Sequence, residues 1–449
     1  MDSIVIKFKI IQTTVALITV ISICCSSCSQ ENIPEEIDSE HTNSSLHLKT
    51  VNEGFSPTDY GDVVGKVVVG YQGWFNTDTD KSPLKKWRHW STGNAPKALN
   101  QTFELWPDVS EYSTTYETDY DTLGNGQPSK LYSSNDANVI DKHVEWMRKY
   151  GIDCIALQRF GTELNDPVRK LNRDQVTQKV RNAAQSTTIG DMYRNRPTKF
   201  YIMYDISGWA NFQSEIKEDW LNTIVNKLDL LSSPAYAKQQ GRYVVCIWGM
   251  GVNGRPGNSE SYRDVIKWFQ DRGCYVIAGT KKHWRTDPNI NNAMLTANMI
   301  TPWTVGSYDS NQVDGYANLL FNDKAVCDLH GVDFQPVVFP GFAWSNWNGG
   351  QRNQIARQHG DFLWKQFYNI KRIGIPNVYV AMFDEYDEGT AIAKAATHQN
   401  QIPSNQYFLT LDADSTKVSS DFYLRLTGDG ARLIKGQIPL QQSHPTPHQ

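Results

Sequence analysis

Residues 137–158 read ANVIDKHVEWMRKYGIDCIALQ. Val139, Ile140, His143, Val144 and Met147 recur at spacings of three and four, which gathers them on one face of an α-helix. Gly151 follows, the residue type that most readily takes the left-handed conformation in which helices end. Next comes IDCIALQ, a continuous apolar run without polar alternation, the pattern of a parallel strand covered on both faces. Helix, glycine and buried strand in succession form the repeating unit of an α/β fold.

The unit recurs in both directions. The other apolar runs are KVVVGYQ (66–72), KFYIMYD (199–205), YVVCIWG (243–249), YVIAG (275–279), MITPWTV (299–305), FQPVVFP (334–340) and NVYVAMF (377–383), making eight strands with 152–158. Helical patterns fall between them at 172–186, 214–232, 260–272, 311–330 and 352–373, whereas 281–298 is loop-like. Eight strands with intervening helices predict a (β/α)8 barrel, with a doubly wound sheet as the alternative. Residues 73–136 form one long loop after strand 1, of a length that is usually functional or structured in itself. The tail from 405 to 440 reads as a strand pair and a closing helix packed on the barrel. The expected organisation is a barrel over 61–400 and a small C-terminal strand/helix extension over 401–449.

Composition narrows the function. The 449 residues are 39% hydrophobic, so a packed core is expected. Lys+Arg 44 against Asp+Glu 48 leaves a net charge of −4 without a basic stripe, which excludes the usual footprint of a nucleic-acid binder. Aromatic content stands out, with 14 Trp, 21 Tyr and 17 Phe, many beside Gly, Asn or His, surroundings that suit sugar rings as well as a large core. Cys154, Cys246, Cys274 and Cys327 are far apart and form no CxxC pair, so buried free thiols are expected and not a disulfide framework or a zinc site.

The N-terminus carries an address. Lys7 and Lys9 precede an apolar stretch, Ile10 to Ile23, and the small residues Ser26 and Ser27 precede Cys28. This pattern resembles the bacterial lipoprotein signal, which implies removal of residues 1–27, lipidation of Cys28 and a lipid-anchored protein of the bacterial cell envelope, at the outer membrane surface or facing the periplasm. Residues 28–60 are polar and acidic and read as a disordered tether.

In a (β/α)8 barrel, functional groups stand at the C-terminal ends of the strands. Those positions hold Tyr71, Gln72 and Trp74 after strand 1, Gln158 and Arg159 after strand 2, Tyr204 and Asp205 on strand 3 and Trp248 on strand 4. His283 follows strand 5, where a structural role is expected. Trp303 ends strand 6, Trp344 and Trp347 follow strand 7, and FDEYDEGT at 383–390 follows strand 8. From this set Tyr204, Asp205, Trp248, Trp303, Trp344 and Trp347 are candidate substrate-binding residues. Four carboxylates within five residues repel one another and are tolerated where exposed, metal-bound or used. Glu385 and Glu388, three apart, share a face in a turn, and paired carboxylates are the equipment of glycoside hydrolysis. No HxH or HExxH pattern accompanies them, so no metal and no cofactor is expected. NTDTD (76–80) and DAD (412–414) lack the Gly and terminal Glu of an EF-hand and read as solvated turns.

FDEYDEGT resembles the FNEWHEGT segment of glycoside hydrolase family 99, the endo-α-mannosidases and endo-α-mannanases. VGYQGWF with WRHW (68–90) is similar to that family's YYPWYG…HW opening, and the likeness continues in GIDCIALQ and in the PG…WN…R segment at 340–352. Asp384, Tyr386, Asp387 and Ala391 stand where the family has Asn, Trp, His and Gln, which fits a distant relative in the group joining families 71 and 99. The resemblance implies that Tyr71, Trp74, His89 and Trp90 line the pocket. It further implies that Glu385 takes the proton of a sugar 2-hydroxyl, which attacks the anomeric carbon to give a 1,2-anhydro intermediate. Glu388 then protonates the leaving oxygen and afterwards activates water. The expected protein is a monomeric glycosidase whose partners are an oligo- or polysaccharide and, through its anchor, a membrane. A catalytically silent barrel that captures glycan is the alternative.

Overall fold

The computed structural model describes residues 61–193 and 195–449. The signal segment 1–27, Cys28 and the tether to residue 60 lie outside the described residues. Nine parallel strands form the central sheet: β1 Val67–Tyr71, β2 Cys154–Phe160, β3 Lys199–Asp205, β4 Arg242–Met250, β5 Cys274–Lys281, β6 Met299–Trp303, β7 Asp333–Phe334, β8 Val337–Val338 and β9 Val378–Val380. From β1 to β7 each strand pairs with its predecessor in the chain, and β9 returns to pair with β1 from Val67–Val378 to Val69–Val380.

β7 and β8 are two halves of one extended stretch and together make the seventh strand of the eightfold barrel. The first half pairs with β6 and the second with β9. The break falls at Pro336, which has no N–H to give to a ladder. Gln335 still donates its N–H to Ile300 O at 2.9 Å, and the Pro336 carbonyl accepts from Tyr379 N at 3.0 Å. The stretch thus changes partner at the proline and closes the ring.

All five residues of β1 are buried, as the apolar run predicts for a strand enclosed by barrel interior and helices. Gly70 is required there. A Cβ would collide with the Tyr379 hydroxyl and Met382, and its absence lets Tyr379 reach across the interior to Gln158 Nε2 at 3.1 Å.

The longer helices are α1 Ala137–Tyr150, α2 Pro167–Gln185, α3 Phe212–Asp219, α4 Ser259–Gln270, α5 Val313–Leu329, α6 Asp361–Ile373 and α7 Phe422–Ile434. α1 has the expected bounds, and Gly151 (φ 75°) ends it by donating to Arg148 and Met147 carbonyls. Asp166 caps α2 by accepting from Val168 N and Arg169 N, with Pro167 in the first turn. α3 continues as a π-helix over Trp220–Lys227. The helix expected from residue 352 begins only at Asp361. Residues before it are drawn back onto the loop after β8, where Ile355 bridges Phe342, and His359 sits at φ 39°.

The long loop after β1 holds a two-stranded antiparallel hairpin, Tyr116–Glu117 with Lys130–Leu131. It lies along the segment that follows β9, with Glu104 N and Leu105 N both donating to Tyr386 O at 2.9 and 3.1 Å. FLTLD of the tail pairs with this loop, Leu409 against Leu105, and not with a second tail strand. α7 then packs between α1 and α6, tied by Tyr150 Oη to Asp421 at 2.6 Å and by Lys371 Nζ to Ile434 O at 2.9 Å. Cys154, Cys246, Cys274 and Cys327 are free and buried. Asp80, expected in a solvated turn, is buried instead, because its carboxylate ties the loop through Thr77 N, Ser82 N and Ser133 Oγ.

Candidate active site

A narrow cleft opens at the C-terminal ends of the strands. Gln72 enters from the end of β1, Gln158 and Phe160 from β2, Met203 and Asp205 from β3, Trp248 from β4, and Trp303 with Val305 from β6. Met382, Glu385, Glu388 and Thr390 complete it from the turn after β9. Side chains two apart on a strand share a face, so Gln158 with Phe160 and Met203 with Asp205 point inward together.

The same period corrects several expectations. Tyr204, between Met203 and Asp205, faces outward and donates to Asp219 Oδ2 at 2.8 Å, within a buried cluster built on Arg159, Asp174 and Asp219. Tyr71, between inward-facing Gly70 and Gln72, meets His143 Nδ1 on α1 at 2.9 Å. Trp90 is fully buried in the core of the long loop, stacked on Phe75 at 3.8 Å, with its indole N–H on Tyr132 O. These three pack the scaffold and do not line the cleft. Trp74 and His89 form a layer behind the wall: Trp74 stacks on His89 at 3.9 Å and on cleft-lining Phe160 at 5.1 Å. Trp344 and Trp347 sit in a separate apolar cluster with Phe342 and Ile355, outside the cleft lining. Of the expected residues, the structure brings Asp205, Trp248, Trp303, Glu385 and Glu388 together in one cleft. Gln72 and Gln158 stood at noted strand ends without an assigned role. Phe160 and Met203 were missed, although counting by twos from Gln158 and Asp205 reaches both.

The turn carrying the glutamates is held from several sides. Asp384 is fully buried and accepts from Gln72 N at 2.7 Å and Gly73 N at 2.9 Å. Arg173 Nη1 donates to Gln72 O at 2.6 Å while its Nε pairs with Glu163, which also pairs with Arg88. Arg357 Nη2 donates to the carbonyls of Gly389 and Ala391, both at 2.7 Å. Glu388 O accepts from Ala343 N at 3.0 Å, and Asp387 Oδ2 meets His89 Nδ1 at 2.9 Å. The four-carboxylate run is therefore divided. Asp384 and Asp387 brace the turn, while Glu385 and Glu388, each 5% exposed, face the cleft.

Burial sets the electrostatics. It pushes the Asp384 carboxyl up to about 6 against the backbone N–H groups that hold it down. Burial and then the neighbouring Glu388 raise the Glu385 carboxyl well above its ordinary range, opposed by the Gln72 amide, which donates to Glu385 Oε2. Burial also raises Asp205, whose carboxylate accepts from Ser207 N at 2.7 Å. His89 is driven well down, first by burial and then by Arg88 and Arg173, so it is neutral at pH 7. Among the described residues no group of three His, Cys, Asp or Glu side chains converges to hold a metal ion. What the cleft offers is two neighbouring carboxyl groups, Glu385 and Glu388, beside the indoles of Trp248 and Trp303, whose ring centroids lie 5.2 Å apart. That equipment suits acid–base chemistry on a sugar.

A closed (β/α)8 barrel with an inward-facing carboxylate pair after its last strand is an architecture of the glycosidase type. Among solved structures, the endo-α-mannosidase of glycoside hydrolase family 99 from Bacteroides thetaiotaomicron superposes with a TM-score of 0.60 at 15% identity, over 83% of this chain and 98% of the other. The same enzyme in complex with bis-tris-propane gives 0.60 at 14% identity, over 84% and 98%. The chain thus has a family-99-like fold. No protein-family model matches it, and no curated protein matches it.

Proposed function

We propose that the protein is a glycoside hydrolase acting on an α-linked polysaccharide or glycan, as a monomer. The observation that carries this reading is the pairing of Glu385 and Glu388 in one aromatic-walled cleft at the end of the last strand. In the proposed reaction Glu385, ionised, removes the proton of the sugar 2-hydroxyl. The freed oxygen attacks the anomeric carbon, the glycosidic bond breaks, and Glu388 gives its proton to the leaving oxygen. Glu388 then takes a proton from water as that water opens the anhydro ring, and the 2-oxygen recovers its proton from Glu385. Because the first carboxylate acts at the 2-hydroxyl, neither of the usual carboxyl separations of retaining and inverting sites is required.

The resemblance of residues 1–28 to a lipoprotein signal supports a cell-envelope location, with Cys28 as the lipid anchor.

The two glutamates give the test. General acid–base groups contribute about 10²–10⁴-fold each. Glu388→Gln is expected to lose that much on natural glycans and far less on substrates whose leaving group needs no proton. Glu385→Gln is expected to lose it on both, and substrates without a free 2-hydroxyl are expected to be inert. Wild-type turnover in both variants would overturn the catalytic assignment in favour of a barrel that captures glycan.

A further inference from the structure

We propose that Gln72 is the positioning residue that makes Glu385 the base of the pair, and that its side-chain oxygen accepts a second substrate hydroxyl. The proposal rests on the glycosidase reading of the same cleft.

Gln72 is held where few side chains are. Its N–H donates to Asp384 Oδ1 at 2.7 Å, and its carbonyl accepts from Arg173 Nη1 at 2.6 Å. The next residue, Gly73, has φ +57° and donates to the other oxygen of Asp384, and a Cβ there would lie 2.9 Å from Val176 Cγ1. The side chain therefore leaves from a rigid stub. Asp384 anchors that stub, and Glu385, the next residue along, receives the amide: Gln72 Nε2 donates to Glu385 Oε2.

An N–H donor favours a carboxylate over a carboxylic acid. The groups that bear on the Glu385 side chain are Glu388 and Asp384, which oppose its charge, and Gln72, which favours it. The Tyr379 phenol near them lies below, accepting from Gln158 Nε2. A base must carry negative charge, and Gln72, by donating to Glu385, favours the charged form of that carboxyl against the two neighbouring carboxyls. The other end of the amide is unused by the protein: Gln72 Oε1 is buried and accepts no hydrogen bond among the described residues. Leaving a buried acceptor unmade is unfavourable by about 1–3 kcal/mol, and a hydroxyl of a sugar bound in the cleft relieves it.

The experiment compares wild type, Gln72→Leu and the isosteric Gln72→Glu. Both are read by the acid limb of the kcat–pH profile and by NMR titration of the 13C-labelled Glu385 carboxyl in substrate-free protein. Gln72→Leu is expected to move the Glu385 titration and the acid limb up by about one pH unit, with KM rising as the hydroxyl contact is lost. Gln72→Glu is expected to move both further, because a third carboxylate is added, and it keeps the side-chain shape should leucine disturb the fold. A Glu385 titration unchanged in either folded variant overturns the proposal, since a purely structural amide would not move it. That outcome is separate from failure of the glycosidase reading, which would appear as wild-type turnover in Glu385→Gln.

Discussion

Asp384 accepts at both carboxylate oxygens from backbone N–H groups, and burial outweighs them and the Arg173 charge, so its burial has a consequence for stability. Its carboxyl stands at about 6 in the fold, against about 3.9 in an unfolded chain. Between those limits the folded protein binds the proton more tightly. The contribution of this group to stability is therefore fullest below about pH 4 and declines as pH rises through 6. The difference amounts to about 2–3 kcal/mol. Asp384→Asn, which cannot ionise, is expected to lose this dependence. Urea unfolding of both proteins at pH 4 and pH 7.5 checks it: wild-type stability relative to the variant should fall by about that amount, and a constant difference would place the titration elsewhere. At this scale the sequence marked Glu385 and Glu388 by their spacing, yet it could not say which carboxylates of the run are braces. Asp384 and Asp387 differ from their neighbours only through partners almost three hundred positions away or more, Gln72 and His89. Tyr204 is expected in the pocket because it stands at a strand end, and Tyr71 because the family resemblance implies it. Counting by twos from Gln72 and Asp205 puts both on the outer face, where helices bury them.

α7 shows how an element can be seated by what it lacks. Gly428 lies within the helix, where an Ala would ordinarily gain about 1 kcal/mol of helix propensity. A Cβ at that position, however, falls inside the envelope of the Tyr150 carbonyl oxygen at the end of α1. Backbone cannot rotate away, and overpacking of this kind disfavours the fold by about 1–3 kcal/mol. Gly428→Ala is thus expected to lower the urea midpoint, and a raised midpoint would show that α7 does not rest on α1 as described. The strands of the barrel were legible, because continuous apolar runs have few other uses in a chain of this kind, whereas the short hairpin of the long loop was not. The late start of α6 was not. Residues 352–360 carry a helical pattern, and what overrides it is non-local: Ile355 bridges Phe342, and Arg357 is drawn to the carbonyls of the acid turn. The break between β7 and β8 was not read, although Pro336 marks it within the run 334–340, and which neighbour each half takes depends on the closed ring.

For the molecule as a whole, the proposed cell-envelope location has its own test. If Cys28 carries the lipid, Cys28→Ala is expected to shift the protein from the membrane fraction to the soluble fraction on fractionation of expressing cells. Unchanged partition would mean that the apolar stretch Ile10 to Ile23 is itself the anchor.

The pairing of β1 with β9 also bears on how the chain comes into being. Gln72 and Asp384, which lock that seam, are 312 residues apart. At about 5–20 residues per second a ribosome needs roughly 15–60 s to make that span. Throughout that interval one edge of the nascent first strand, Val67–Tyr71, has no native neighbour. Such an edge is a template for pairing with other growing chains. Covering that edge until the last strand arrives keeps the growing chain from such pairing.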